Sequence, residues 1–327
     1  MRATLVASFF FWLVTCILFL QVNAQEYHWG YRKENGPKTW PGTCASGSHQ
    51  SPVNIENPKV MIQTMGQLYF GNYEGGEEVT LLNDGHTLKI HGFEKWKNRP
   101  YITEGPLPTK YNLLQIHFHW GNNDSNGSEH SIDWIYHPAE IHFVHEKEGD
   151  KNSTDHLAVI GSFLHVDDDG DAFSEIEPLL KNVVTFNTSA QIKSYTPSNM
   201  LPSNLRKFYT YHGSLTTPTC DEIVVWILMP TLISITKSQL QLLRNIQADD
   251  GKVFDCNCRP AQSLNGRQIG YRDSSIWDNF SGYTISWIIA VSVLLIFFAA
   301  LLVRWWKNRQ QLTREPTSSE TEALLEH

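Results

Sequence analysis

The chain is poor in positive charge. Its 26 Lys and Arg face 34 Asp and Glu, a formal net charge of −8 over 327 residues. That excludes the basic footprint of a nucleic-acid partner. Charged residues make up 18% and aromatics 12%, with 11 Trp, a balance that excludes intrinsic disorder and supplies a large core. Cysteine is scarce, five in all, and no solenoid or propeller period repeats along the chain.

Two uncharged apolar runs mark the ends. Met1 and Arg2 precede an apolar stretch over 5–20 and the small-residue end Val22-Asn23-Ala24, the pattern of a cleaved signal peptide over 1–24. Residues 283–303 carry no charge and are long enough to cross about 30 Å of hydrocarbon. Trp305 and Trp306 follow, with Arg304, Lys307 and Arg309 as a basic flank. By the positive-inside rule the tail 304–327 is cytoplasmic, and a domain over 25–275 with a linker over 276–282 lies outside. The sequence thus predicts a single-pass type I plasma-membrane protein. Its outer part, with 21 basic and 30 acidic residues, is acidic.

An exported domain fits the remaining features. Asn123, Asn126, Asn152, Asn187 and Asn279 head sequons and are candidate N-glycosylation sites. Cys16 leaves with the signal. Cys44 and Cys220 stand alone in distant regions, while Cys256 and Cys258 lie two apart, a spacing that seldom bridges without distortion. The pairing of that second couple is left open. Ser286 and Ala290 make a small-xxx-small pair, a weak pointer to helix association, so a homodimer stays an open question.

Between the ends the chain is rich in strands. Alternating or apolar runs recur at 68–70, 79–82, 87–90, 112–120, 139–145, 156–164, 191–193 and 222–229, separated by turn signals such as Asn83-Asp-Gly. Helices are expected at 171–182 and 237–247. One mostly β domain of about 250 residues with short helices is the economical reading.

The most informative segment is Gln115-Ile-His-Phe-His-Trp-Gly. On a strand, His117 and His119 share one face and Ile116, Phe118 and Trp120 the other. Two buried imidazoles side by side suit a hydrophobic strand badly and suit two ligands of one zinc well. Ala139-Glu-Ile-His-Phe-Val-His offers a third, and periodicity does not choose between His142 and His145. Gln115 and Glu140 fall on the ligand faces, and Glu129 is a further carboxylate able to orient a ligand or a hydroxyl.

These segments closely resemble the alpha-class carbonic anhydrases, in particular their single-pass membrane-bound extracellular members. The resemblance runs from His28-Trp-Gly-Tyr through Gln50-Ser-Pro-Val-Asn-Ile, Asn83-Asp-Gly-His, the strand at 115–121, Gly127-Ser-Glu-His and Gly213-Ser-Leu-Thr-Thr-Pro to Arg259-Pro-Ala-Gln-Ser-Leu-Asn-Gly-Arg. It implies one domain around a large, mainly antiparallel, twisted sheet. It implies reversible hydration of carbon dioxide to bicarbonate and a proton, by attack of zinc-bound hydroxide. The zinc ligands would be His117, His119 and His142, with Gln115, Glu129 and Glu140 behind them. Thr216 would orient the hydroxide through Glu129. Thr217 would lie at the substrate end, and Val144, Val159, Leu215 and Trp226 would form the wall for carbon dioxide. His86 would relay the proton, with Tyr31, Asn83 and Asp84 near the water chain, and Cys44 would pair with Cys220. Asp84 two residues before His86 and Lys89 three after it act in opposite senses, so His86 is expected to keep nearly its ordinary value.

Three positions depart from the family pattern. Thr219 stands where a second proline is common, Lys89 where an uncharged amide is usual, and Cys258 where an aromatic is usual. Relatives that have lost zinc ligands act as adhesion or binding ectodomains. That catalytically weak or inactive alternative, and a generic zinc hydrolase, are disfavoured by the presence of all three histidines with Thr216 and Glu129.

Overall fold

A computed structural model describes residues 28–149 and 153–312. The expected signal peptide, Asn152 and most of the tail lie outside them. The chain divides after Arg272 into two units.

Among the described residues the first unit holds fourteen strands. They are β1 (Asn54–Ile55), β2 (Met61–Ile62), β3 (Leu68–Gly71), β4 (Glu77–Asn83), β5 (Leu88–His91), β6 (Tyr101–Glu104) and β7 (Tyr111–Trp120). Then come β8 (Ser131–Ile132), β9 (Ala139–Lys147), β10 (Leu157–Val166), β11 (Ser189–Tyr195), β12 (Phe208–Gly213), β13 (Val224–Ile235) and β14 (Gly270–Arg272). Twelve form one mixed sheet in the order β11-β4-β5-β7-β9-β10-β13-β12-β14-β2, with β6 paired to β7 and β3 to β6. Most pairs are antiparallel; β10–β13 and β14–β2 are parallel.

The alternation in β7 and β9 sorts two layers. Ile116, Phe118, Ile141 and Phe143 enter a large core that also takes Ile160 and Ile227. The opposite face carries His117, His119 and His142 and continues into a smaller apolar cluster with Val144, Val159 and Trp226. Burial on both faces is the reason β10 reads as a mostly apolar run from Leu157 to Leu164, interrupted by Gly161 and Ser162.

Two expectations are corrected. Of the helix expected at 171–182 only Glu177–Leu180 forms, because Pro178 lacks an N–H and is accepted only in a first turn. The second helix, Lys237–Arg244, is shorter than 237–247. Thr236 caps it, its hydroxyl accepting from Gln239 N–H while Gln239 Oε1 accepts from Thr236 N–H.

Cys44 and Cys220 are disulfide-bonded, Cα to Cα 5.0 Å, and pack against Trp40. Asn123, Asn126 and Asn187 are exposed. In the second unit, Ser286–Gln310 is long and apolar enough to cross a membrane. That span runs past Arg304, where the sequence expectation stopped.

Candidate metal centre

The register of the sheet assembles the site. His117 on β7 stands across from Lys89 on β5 and from His142 on β9. Because Gln115, His117 and His119 alternate with core residues, one strand face delivers all three to the same side. Val144, Val159 and Trp226 lie directly across from one another on β9, β10 and β13, and Leu215 packs on that cluster.

Two of the three rings are oriented by a partner. His119 Nδ1 donates to the Asn257 carbonyl at 2.7 Å, which leaves Nε2 with a free lone pair, buried and without a hydrogen-bond partner. His142 Nε2 donates to Glu140 Oε1 at 2.7 Å, which turns Nδ1 the other way, 3.2 Å from His117 Nε2. Two nitrogens on a tetrahedral zinc with bonds of 2.0–2.1 Å lie about 3.3 Å apart. The three nitrogens converge within 4.8 Å of one another. His117 Nδ1 and Gln115 Oε1, two residues apart on the same face, are a buried donor and acceptor each without a partner.

Protonation favours metal binding. Burial, reinforced by the neighbouring rings, holds His117 well below its ordinary value, pushes His119 down to about 3 and lowers His142. All three are neutral imidazoles at pH 7, the form that ligates a cation. The donor set, its spacing and the orphaned His119 nitrogen fit zinc.

Behind the rings, Glu140 is saturated. Its Oε2 accepts the N–H groups of Glu129 and His130 at 2.8 Å, and its Oε1 accepts His130 Nδ1 as well as His142. Burial opposes its charge, but His130 and His142 hold the carboxyl well below the usual range. Both His130 nitrogens and both Glu140 oxygens are therefore hydrogen-bonded, and His142 Nδ1 is the one donor of this trio left for a metal. Gly161 makes room for the trio, since a methyl there would meet Leu228 at 2.5 Å and Glu140 Oε1 at 3.1 Å.

Glu129 is fully buried. Its Oε1 accepts Arg259 N–H at 2.8 Å, Thr216 hydrogen-bonds its carboxyl, and its Oε2 lies 3.4 Å from His119 Nε2. Burial and the Glu140 charge push this carboxyl up, and the Arg259 and Thr216 contacts pull against them.

A cavity of about 120 Å³ opens on the cluster, lined by Tyr31, Asp84, His86, Lys89, Gln115, His117, His119 and Thr217. Gly85, at φ 85°, makes the tight turn before His86. Burial pushes the Tyr31 phenol up, so it stays protonated.

The structure corrects two expectations. Asn83 is turned away from the cavity: its amide donates to the Val184 and Gln247 carbonyls and accepts Gly85 N–H. His86 is not left at an ordinary value; burial, with its ring stacked 3.8 Å from Trp29, lowers it. His145 points into the other layer, against Tyr73 and the Ala158 carbonyl. Sequence reasoning missed Asn257, His130 and Trp29. His130 adjoins Glu129 and Trp29 sits in His28-Trp-Gly-Tyr, but nothing in the spacing tied Asn257 to His119.

Residues 35–273 match the family described as eukaryotic-type carbonic anhydrase. The chain is 39% identical over 259 residues to the Caenorhabditis elegans protein named "Putative carbonic anhydrase 5", covering 77% of this chain and 84% of that one. It is 34% identical over 254 residues to human "Carbonic anhydrase 3", covering 74% and 96%. Coverage of this breadth at this identity, on a large mixed sheet with a three-histidine face, makes the chain a member of the eukaryotic-type, alpha-class carbonic anhydrase family.

Proposed function

We propose that this chain is a zinc enzyme that reversibly hydrates carbon dioxide to bicarbonate and a proton at the outer cell surface. Family membership supports carbon dioxide hydration in general terms. The observation that carries the finer reading is the convergence of three neutral imidazole nitrogens, two of them on rings that line an open cavity.

His117, His119 and His142 would hold the ion. Zinc there supplies Lewis acidity, which in carbonic anhydrases themselves is known to bring the pKa of bound water to about 7. The protein's residues do the rest. Thr216, with its proton committed to Glu129, has only lone pairs to offer and so orients an oxygen nucleophile by accepting from it. Val144, Val159, Leu215 and Trp226 give apolar carbon dioxide a dry surface beside the rings. Thr217 stands on the cavity wall where bicarbonate leaves. His86, on the same wall, takes up the released proton and passes it to solvent.

The reading includes the topology: signal peptide 1–24, catalytic domain 25–275, linker 276–282, span 283–303 and cytoplasmic tail 304–327. The apolar helix Ser286–Gln310 and the cations Arg304, Lys307 and Arg309 support it. Zinc content and stopped-flow hydration of carbon dioxide, measured together on one preparation, test the enzyme. About one zinc per chain with activity is expected; a metal-free or zinc-loaded but inactive protein contradicts it. Labelling of intact cells with an impermeant amine reagent tests the orientation.

A further inference from the structure

Cys256 and Cys258 are disulfide-bonded to each other with one residue between them. Closing so short a loop restricts the unfolded chain little, because closure entropy grows with loop length. The ring therefore acts on local backbone direction more than on global stability.

The residue it encloses is Asn257, fully buried. Its carbonyl accepts from His119 Nδ1 at 2.7 Å, and its side-chain oxygen accepts Trp120 N–H at 2.7 Å. Its amide nitrogen donates to the Phe118 carbonyl at 3.0 Å and to the His86 carbonyl at 3.1 Å. Its main-chain N–H donates to the Trp120 carbonyl. Arg259, the next residue beyond the ring, gives its N–H to Glu129. The ring thus sits on the segment that fixes His119, Glu129 and the turn of His86.

Both half-buried cysteines line a cleft of about 570 Å³, together with Arg32, Lys33, Lys38 and Asp255. Arg259 lines the cleft as well, and although Arg32 is paired with Asp250, the remaining cations outnumber Asp255 and favour the thiolate that leaves when a disulfide is attacked. Cys44 and Cys220 are buried, at 8% and 0% exposure.

We propose that the Cys256–Cys258 disulfide is a redox-addressable clamp on the metal centre, closed when it holds the Asn257 carbonyl on His119 and released on reduction. The proposal rests on the zinc reading above. The step is exchange with a dithiol. One thiolate attacks a ring sulfur, the Cys256–Cys258 bond breaks, and the departing sulfur takes up a proton. The reductant's second thiol then resolves the mixed disulfide, so two electrons pass and a cyclic disulfide leaves.

The test uses the full-length chain in detergent micelles under graded dithiothreitol. Alkylation and peptide mapping identify the open bond, circular dichroism follows the fold, and a chromogenic chelator measures zinc affinity after dithiothreitol, itself a zinc ligand, has been removed by anaerobic buffer exchange. The expected result is that Cys256–Cys258 opens first, the fold persists and affinity falls about 10- to 100-fold, the range for losing a partner of a ligating histidine. The double variant Cys256→Ser with Cys258→Ser should show the same weakened affinity, indifferent to dithiothreitol. Unchanged affinity after selective opening overturns the clamp, as does opening only with Cys44–Cys220 in the unfolded chain. Oxidised protein that takes up no zinc at all overturns the zinc reading instead.

Discussion

Lys89 and Asp84 are ion-paired, Nζ to Oδ2 at 2.7 Å, on the wall of the cavity that holds His86. The sequence sets these two charges against each other at His86; in the structure they neutralise one another, and burial beside Trp29 decides. His86→Ala is therefore expected to lower kcat while leaving kcat/KM for hydration nearly unchanged, with imidazole buffer restoring turnover. Equal losses without rescue would show that His86 shapes the site and carries no proton.

The same burial has a sign. With its pKa lowered, His86 stays neutral below 6.5, so the acid limb of kcat should lie below that of an exposed histidine. Trp29→Ala uncovers the ring and should move that limb up toward pH 6.5. Stopped-flow rates across pH 5–8 would check it.

Thr216→Ala removes the acceptor that aims the nucleophile while leaving His117, His119 and His142 untouched. A loss of about 100-fold in kcat/KM with full zinc content is expected, comparable to deleting one preorganised hydrogen-bonding group elsewhere. Thr216→Ser should recover most of it. A wild-type rate in the alanine variant would remove Thr216 from the mechanism.

His145 is a buried neutral imidazole pushed down to about 3, bonded to Tyr73 and the Ala158 carbonyl. An unfolded chain binds that proton at about 6.5, so stability is intact above pH 6.5 and is lost as pH falls toward 3. At pH 5 the loss is about 2 kcal/mol. His145→Gln, which cannot titrate, should lose less between pH 7 and 5 in urea unfolding, with zinc binding retained.

Replacing Cys44 and Cys220 by alanine removes a link between residues 176 apart. In the chain-entropy account that costs about 5 kcal/mol, read as a lower urea midpoint. Arg259 bonds the Cys44 carbonyl and Gln50 bonds the Cys220 carbonyl, so the loss should extend to the site as weaker zinc binding.

Much of this architecture was legible in the sequence because its strands obey a period of two. The ligand face of β7 and the core face holding Ile116 and Phe118 follow from alternation alone. The short strands β1, β2, β8 and β14 span two or three residues and carry no period to read. Pro178 was visible, yet the apolar spacing around it argued for a longer helix than its missing N–H permits. Periodicity did not separate His142 from His145; the resemblance favoured His142, and the sheet turns it toward His117 and His145 toward Tyr73. Asn83 ends β4 where the turn begins, and its amide went to backbone carbonyls from distant segments, which period does not reveal.

The carbonyl that orients His119 arrives 138 residues after it in the chain. At about 5–20 residues per second of synthesis, His117, His119 and His142 emerge and wait on the order of 10 s before Asn257 exists. During that interval the nascent chain has three imidazoles but no fixed tautomer at His119 and no Arg259 N–H on Glu129. The candidate metal pocket is therefore completed late in synthesis, when the segment holding Asn257 and Arg259 joins histidines made long before it.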